Sequence, residues 1–232
     1  MKIAFVGDLH GNMLATQAMA DELQRQGAET ICFLGDAVGK GPQNAETCDW
    51  VREHCSLCIG GNWDYGIGGK EFPADDYYWD QLGAERMEWL RTLPMEGDCW
   101  ISGMHFRLFH GRPVTPILYA QSDKETFAEV FRANGVNYSG IIFADSHRPF
   151  IRTLREGYAL NTGSVGDSMG VPRAHALLMD GELGMQSPAP LSMTVLSVPY
   201  DNEKMADIAR ADEHLPNRDA FIREVLTGVY SR

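Results

Sequence analysis

An aspartate and a histidine two positions apart stand at the end of an apolar run at two places in this chain, as Asp8 and His10 in "GDLHGN" and as Asp145 and His147 in "ADSH". Each pair directly follows an apolar run, "KIAFV" or "GIIF". In an extended chain the side chains at i and i+2 share a face, so both members of a pair can reach one target. Three more polar side chains stand where apolar runs end: Asp36 after "ICFLG", Asn62 after "LCIGG" and His110 after "FRLF". Carboxylates, imidazoles and one amide, without a thiolate, suit borderline-to-hard divalent ions such as Mn, Fe, Zn or Mg better than copper(I) or an iron–sulfur cluster. These are too many donors for one small ion with open positions. Two ions roughly 3.5 to 4 Å apart, bridged by one carboxylate, would use them all. Such a pair lowers the pKa of a bridging water and neutralises charge on phosphoryl oxygens, so that no protein nucleophile is needed.

The elements that must position these groups follow from local patterns. Residues 2 to 6 read as a buried strand, and "MLATQAMADELQRQG" as a helix with Leu14, Ala18, Met19 and Leu23 near helical spacing and Gly27 as its C-cap. "ETICFLGDAVGKGP" is a strand leading to Asp36, "NAETCDWVREHC" a helix, and "SLCIGGNWD" a third strand ending at Asn62. Residues 65 to 82, glycine-rich and then aromatic and acidic, read as a loop or lid, and "GAERMEWLRTLP" as an amphipathic helix stopped by Pro94. "CWISGMHFRLFHG" predicts a hairpin turning at Ser102-Gly103 that delivers His110. "SDKETFAEVFRANG" predicts a helix with Ser122 as N-cap, running toward Gly135. After the strand of the second Asp/His pair come a hairpin turning at Glu156-Gly157, strands in "AHALLMDGELG" and "MTVLSVPYD", and two closing helices. In open α/β sheets ligands bind at the carboxyl ends of strands, so donors far apart in sequence can converge there.

Composition bounds the reading. A chain of 232 residues with 44% apolar and 22% charged residues is an ordinary globular composition, read here as one domain over 1–232. A net charge of −12 disfavours broad capture of nucleic-acid backbones, so an anionic substrate needs local help such as metal ions. No apolar run approaches the roughly 20 residues that span a bilayer, and the N-terminus does not read as a signal peptide, which predicts a cytoplasmic protein without membrane contact. Cys32, Cys48, Cys55, Cys58 and Cys99 are an odd number and read as packed, reduced thiols; the "CSLC" segment lacks the further soft ligands a zinc site requires.

In order, "GDLHGN", "GDAVGKGP", "GGNWD", "FHG" and "ADSH" resemble the motifs of calcineurin-like metallophosphoesterases, D-x-H-G-N, G-D-x-V-x-x-G-P, G-N-x-D, H-G and G-H-x-H. "NTGSVGDSMGVPRAHALL" and "SVPYD" look like the closing segments of the bacterial single-domain branch related to diadenosine tetraphosphatase. The resemblance implies an α/β fold, a four-layer αββα sandwich of two mixed β-sheets flanked by helices. It implies that Asp8, His10 and His147 bind a first metal, that Asp36 bridges and holds the attacking hydroxide, and that Asn62, His110 and Asp145 bind the second. The implied activity is a phosphodiesterase-type hydrolysis of a small nucleotide or similar phosphate ester, with two divalent ions as cofactors; the hard donors favour Mn, Asn12 and Trp63 read as substrate contacts, and Arg112 reads as a bidentate grip on a phosphate oxygen or as a solvated surface arginine. Trp63, Tyr65, Tyr77, Tyr78 and Trp79 offer a stacking wall for a base or aryl group, or pack the loop onto the domain; His175 reads as a core or surface residue rather than a catalytic one.

Two departures from the family pattern stand out. Trp63 follows Asn62 where some members carry a histidine able to protonate the leaving group. Asp145 replaces the first histidine of G-H-x-H, which makes the second site harder and less electrophilic, or leaves it weak if the shorter side chain does not reach the ion. A serine/threonine protein phosphatase and a regulatory protein with a lapsed second metal site are the alternative readings.

Overall fold

The first strand, β1 (Lys2–Val6), is apolar without alternation because both of its faces are covered: Ile3 and Phe5 enter one core, Ala4 and Val6 another. The chain continues through α1 (Met13–Gln26), β2 (Thr30–Leu34), α2 (Asn44–His54), β3 (Leu57–Ile59), α3 (Asn62–Gly69) and α4 (Asp76–Thr92). The second half runs β4 (Glu96–Ile101), β5 (Met104–Phe109), α5 (Lys124–Val130), β6 (Arg132–Ala133), β7 (Val136–Asn137), β8 (Gly140–Phe143), β9 (Phe150–Thr153) and β10 (Tyr158–Asn161). It closes with β11 (Ala174–Asp180), β12 (Ser192–Val198), α6 (Asn202–Ala211) and α7 (Arg218–Thr227). This computed structural model describes residues 1–72, 76–133 and 135–231.

Two five-stranded mixed sheets, in the orders β12-β11-β1-β2-β3 and β4-β5-β8-β10-β9, pack face to face. Ile3, Phe5, Leu34 and Leu177 from one meet Phe106, Leu108, Ile142 and Leu160 from the other. Helices α1 to α4 cover the outer face of the first sheet, and α5 covers part of the second through Phe127 against Phe109 and Phe143. The αββα sandwich of the sequence reading is therefore the fold. The consequence for function is directional: β1, β2 and β3 are parallel, as are β5, β8 and β10, so the carboxyl ends of β1, β2, β3, β5 and β8 can open onto one edge of the sandwich. Among the described residues no helix is long and apolar enough to cross a membrane. The five cysteines are free thiols.

The loop or lid expected over 65 to 82 is instead mostly helical. Helix α3 begins at Asn62 itself, and α4 begins at Asp76 and bends at Gly83, whose φ is 68° and ψ 171°; residues 73–75 of the expected loop lie outside the described residues. Tertiary packing overrides the poor helix propensity of glycine here. A Cβ at Gly66 would lie 2.2 Å from the Phe72 ring, and one at Gly68 would lie 3.0 Å from backbone atoms of Met87 and Arg91 in α4. The helix expected to run from Ser122 toward Gly135 is also shorter. Asp123 takes the N-cap position, Ser122 Oγ accepts the Tyr119 N–H, and β6 and β7 pair where the last helical turn was expected.

Candidate metal centre

The strand ends converge. Asp8 and His10 follow β1, Asp36 follows β2, Asn62 follows β3, His110 follows β5, and Asp145 and His147 follow β8. Asp8, His10, Asp36, Asp145 and His147 all have left-handed backbone, with φ of 53°, 46°, 61°, 63° and 56°. A non-glycine residue in this region costs about 1 to 3 kcal/mol, and such outliers collect where a site over-determines the backbone. Each abrupt turn leaves the strand direction and turns a donor into the shared space at the sheet edge.

Two groups of donor atoms are each mutually close enough to hold an ion: Asp8, His10 and His147, and Asp8, Asp36 and His110. Asp8 is common to both. His147 Nε2 lies 3.3 Å from Asp8 Oδ1, and His110 Nε2 lies 3.3 Å from Asp36 Oδ2. Asp36 Oδ2 is also 3.6 Å from His10 Nε2, so this carboxylate faces both groups. Its other oxygen, Oδ1, accepts the Trp63 N–H at 2.9 Å, which fixes the plane of the carboxylate.

The three histidines are oriented alike. His10 Nδ1 meets the Val38 carbonyl at 3.1 Å, His110 Nδ1 the Leu34 carbonyl at 2.7 Å and His147 Nδ1 the Asp167 carbonyl at 2.5 Å. A carbonyl only accepts, so each Nδ1 carries a hydrogen, and each Nε2 faces the centre as the nitrogen that can ligate an ion once any proton on it is displaced. Burial opposes charge on His110, but the carboxylates of Asp36, Asp8 and Asp145 outweigh it and raise its pKa well above the ordinary value. Burial and Lys40 likewise oppose charge on His147, yet Asp8 and Asp167 raise it to about 9. A site that holds protons this firmly attracts a divalent cation, whose binding displaces them. The buried atoms Asp8 Oδ1, Asn62 Oδ1 and His110 Nε2 have no hydrogen-bond partner among the described residues. Leaving such groups unpaired costs about 1 to 3 kcal/mol each, a cost that metal coordination removes, so the residues fit the ion set that a carboxylate and imidazole centre takes.

Asp145 is placed differently. Its oxygens accept from Arg112 Nη2 at 2.6 Å, from Arg112 Nε at 3.0 and 3.1 Å and from the Arg112 backbone N–H at 3.0 Å. It is 3.8 Å from His110 Nε2 and belongs to neither donor group. Burial pushes its carboxyl up, but Arg112 and His110 outweigh that and hold it below the usual range. Asn12 is fully buried and engaged in structure: Oδ1 caps α1 by accepting the Ala15 N–H, and Nδ2 donates to Gly166 O and to Tyr200 Oη.

A cavity of about 730 Å³ opens above the centre, with Asn62, Asp145 and His147 in its floor and Arg112 at its side. Trp63 and Tyr78 of the aromatic set line it, whereas Tyr65 donates to Leu93 O, Tyr77 donates to Asp212 and Trp79 packs beneath Lys70. Phe72, Tyr119 and Tyr230 complete the aromatic wall and were not legible from the motifs.

Two buried acids missing from the sequence reading support the donors. Asp64, the last residue of "GGNWD", accepts the N–H groups of Asp36, Ala37 and Gly61 at 2.7, 2.9 and 3.0 Å, tying the β2 end to the start of α3. Burial and the Asp36 charge push its carboxyl up to about 7, against amide donors that favour the ionised form. Asp167, in "GSVGD", receives Lys40 Nζ at 2.5 Å and lies 3.3 Å from His147 Nδ1, so it steadies that ring from behind. Both stand inside quoted motifs, which was the available signal. His175 is packed between Ser168 Oγ and Ser197 Oγ, away from the centre.

A two-sheet sandwich with a carboxylate and imidazole cluster at its strand ends is the framework of a metal-dependent hydrolase. The sequence matches the model of the calcineurin-like phosphoesterase superfamily domain over residues 1–182, and the chain belongs to that family, whose members are metal-dependent hydrolases of phosphate esters. It is 28% identical over 231 residues to the uncharacterized protein MJ0912 of Methanocaldococcus jannaschii, covering 87% of this chain and 89% of that one. A metallophosphoesterase structure from Sphaerobacter thermophilus superposes with a TM-score of 0.75 at 24% identity, over 99% of both chains. The phosphodiesterase YfcE of Escherichia coli is 38% identical over 45 residues, 19% of this chain and 24% of that protein.

Proposed function

We propose that this chain is a phosphodiesterase with a dinuclear metal centre that hydrolyses a small phosphate ester bearing an aryl or nucleobase-like group. The observation that carries the reading is the pair of donor groups sharing Asp8, one of whose members, His147, lines a cavity with an aromatic wall. Asp8, His10 and His147 would hold one ion, and Asp36 and His110, with Asn62 beside them, would hold the other, Asp8 being common to both donor groups. Divalent ions at those atoms lower the pKa of water and offset charge on the phosphoryl oxygens. The donor set, imidazole and oxygen without thiolate, favours Mn over softer ions.

The chain's own residues do the rest. The Nδ1–H bonds to Val38, Leu34 and Asp167 prevent the rings from turning, and the Trp63 amide and the Asp64 network hold Asp36. Such preorganisation spares the site reorganisation when charge develops during the reaction. Trp63 stands where a leaving-group acid would, and an indole N–H donates a hydrogen bond without giving up its proton. Esters with acidic leaving groups therefore react best. Purified protein loaded with Mn²⁺ is expected to bind two ions per chain and to turn over bis(p-nitrophenyl) phosphate faster than an alkyl phosphomonoester. Absence of turnover with full metal content would remove the enzymatic reading, and a faster alkyl monoester would remove the leaving-group argument.

A further inference from the structure

We propose that Asp145 is a positioning residue: it locks the Arg112 guanidinium at the side of the cavity, with the free edge of that group set to take a non-bridging oxygen of the phosphate ester. Both carboxylate oxygens already serve Arg112, through Nη2 to Oδ1 at 2.6 Å, Nε to Oδ2 at 3.0 Å and the backbone N–H to Oδ2 at 3.0 Å. This is the two-pronged fork that a guanidinium makes with a carboxylate. The Asp145 side chain is 2% exposed and that of Arg112 is 47% exposed, so the acid lies inside and the base faces the cavity it lines. The hydrogen bonds of the Arg112 side chain to Asp145 run through Nε and Nη2, which leaves Nη1 outside the fork.

The backbone is built for this contact. Gly111 has a φ of 152°, and a Cβ there would fall 2.6 Å from both Cβ and Oδ2 of Asp145. Asp145 also stands apart from the donor groups that Asp8 and Asp36 join. An unsupported arginine loses rotamer freedom when it grips an anion; one already held flat by a buried carboxylate loses less, which strengthens phosphate binding. The replacement of the family's histidine by Asp145 thus exchanges a metal ligand for an oriented cation.

The inference rests on the phosphate-ester reading, but its test does not require turnover. Wild type, Asp145→Asn, Arg112→Ala and the double variant are compared for Mn²⁺ content and affinity, for binding of inorganic phosphate to the Mn²⁺-loaded protein, and for KM and kcat on bis(p-nitrophenyl) phosphate. The expected results are unchanged Mn²⁺ content and affinity in both single variants and about tenfold weaker phosphate binding in each. KM should rise more than kcat falls, and the double variant should be no weaker than Arg112→Ala. Loss of an ion or weaker Mn²⁺ binding in Asp145→Asn alone, or additive losses of phosphate affinity, overturns the proposal. Arg112→Lys, at a half-exposed position, keeps the charge without the fork; it should bind phosphate as weakly as Arg112→Ala, and wild-type affinity would count against the oriented guanidinium. The proposal survives an inactive wild type if the phosphate pattern holds, and the enzymatic reading alone then fails.

Discussion

At the scale of single residues, the site depends on contacts with no room to spare. A Cβ at Gly61 would fall 2.1 Å from Asp36 Oδ1, so Gly61→Ala must push aside the carboxylate that faces both donor groups. That variant is expected to lose about 1 to 3 kcal/mol of stability to overpacking and to bind Mn²⁺ at least tenfold more weakly, as read by chemical denaturation and calorimetric titration. His175 offers a separate test outside the centre. It is 5% exposed, and burial with the nearby Arg173 lowers its pKa to about 4. The unfolded chain binds that proton near pH 6.5, so its contribution is full above about pH 6.5 and is lost as pH falls toward 4, by at most about 3 kcal/mol. His175→Gln, which keeps polar contacts, is expected to flatten the acid limb of stability against pH; an unchanged slope would show that other groups set it. The aspartates and histidines that gather at the strand ends were legible because each follows an apolar run. Their left-handed backbone, and the roles of Asp64 and Asp167 behind them, were not, because support from the far side of a site leaves no periodic trace in sequence.

At the scale of elements, strand positions were read well because runs such as Lys2–Val6 and Gly140–Phe143 are buried on both faces. Helix α3 was missed for a physical reason: the glycines that argue for a loop by propensity are those that let it approach α4 and Phe72. The closing helices were visible as helices, but their place was not. Residues beyond 182 lie outside the span that matches the family domain, yet Pro216, Asn217 and Tyr230 line the cavity. They are held there by Gly170 N–H to Gly228 O at 2.8 Å and by Asn202 Nδ2 to Val225 O at 2.8 Å. Tyr230 is 61% exposed, so Tyr230→Ala should change stability by less than about 0.5 kcal/mol. If its ring meets the aryl group of the ester, KM for bis(p-nitrophenyl) phosphate should rise about two- to tenfold with little change in kcat, in line with about 0.5 to 1.5 kcal/mol for an aromatic pair. Unaltered KM would place the aryl group against Trp63 and Tyr78 alone.

At the scale of the whole molecule, the donors come from β1, β2, β3, β5 and β8, that is, from both sheets of the sandwich. An ion held by Asp36 and His110 would therefore join the two sheets at their open edge, where Asp8, Asp36 and Asp145 crowd negative charge into a buried space. No such donor set exists in the unfolded chain, so binding free energy adds to folding free energy. With free Mn²⁺ at a hundredfold its Kd, one site contributes about 2.7 kcal/mol. For a chain of 232 residues, where 1 kcal/mol moves Tm by about 2 to 4 °C, that corresponds to a rise of about 5 to 11 °C. Chelation should lower Tm by at least this much, and restored Mn²⁺ should recover it. Asp36→Asn removes the negative charge of the carboxylate that faces both groups; it should melt higher than the chelated wild type or near it, and respond little to Mn²⁺. The decisive comparison is the change in Tm on adding metal, because it reports coordination independently of any substrate. A response of equal size in wild type and Asp36→Asn would mean that the stabilising ion binds elsewhere and that the converged strand ends are not the metal centre.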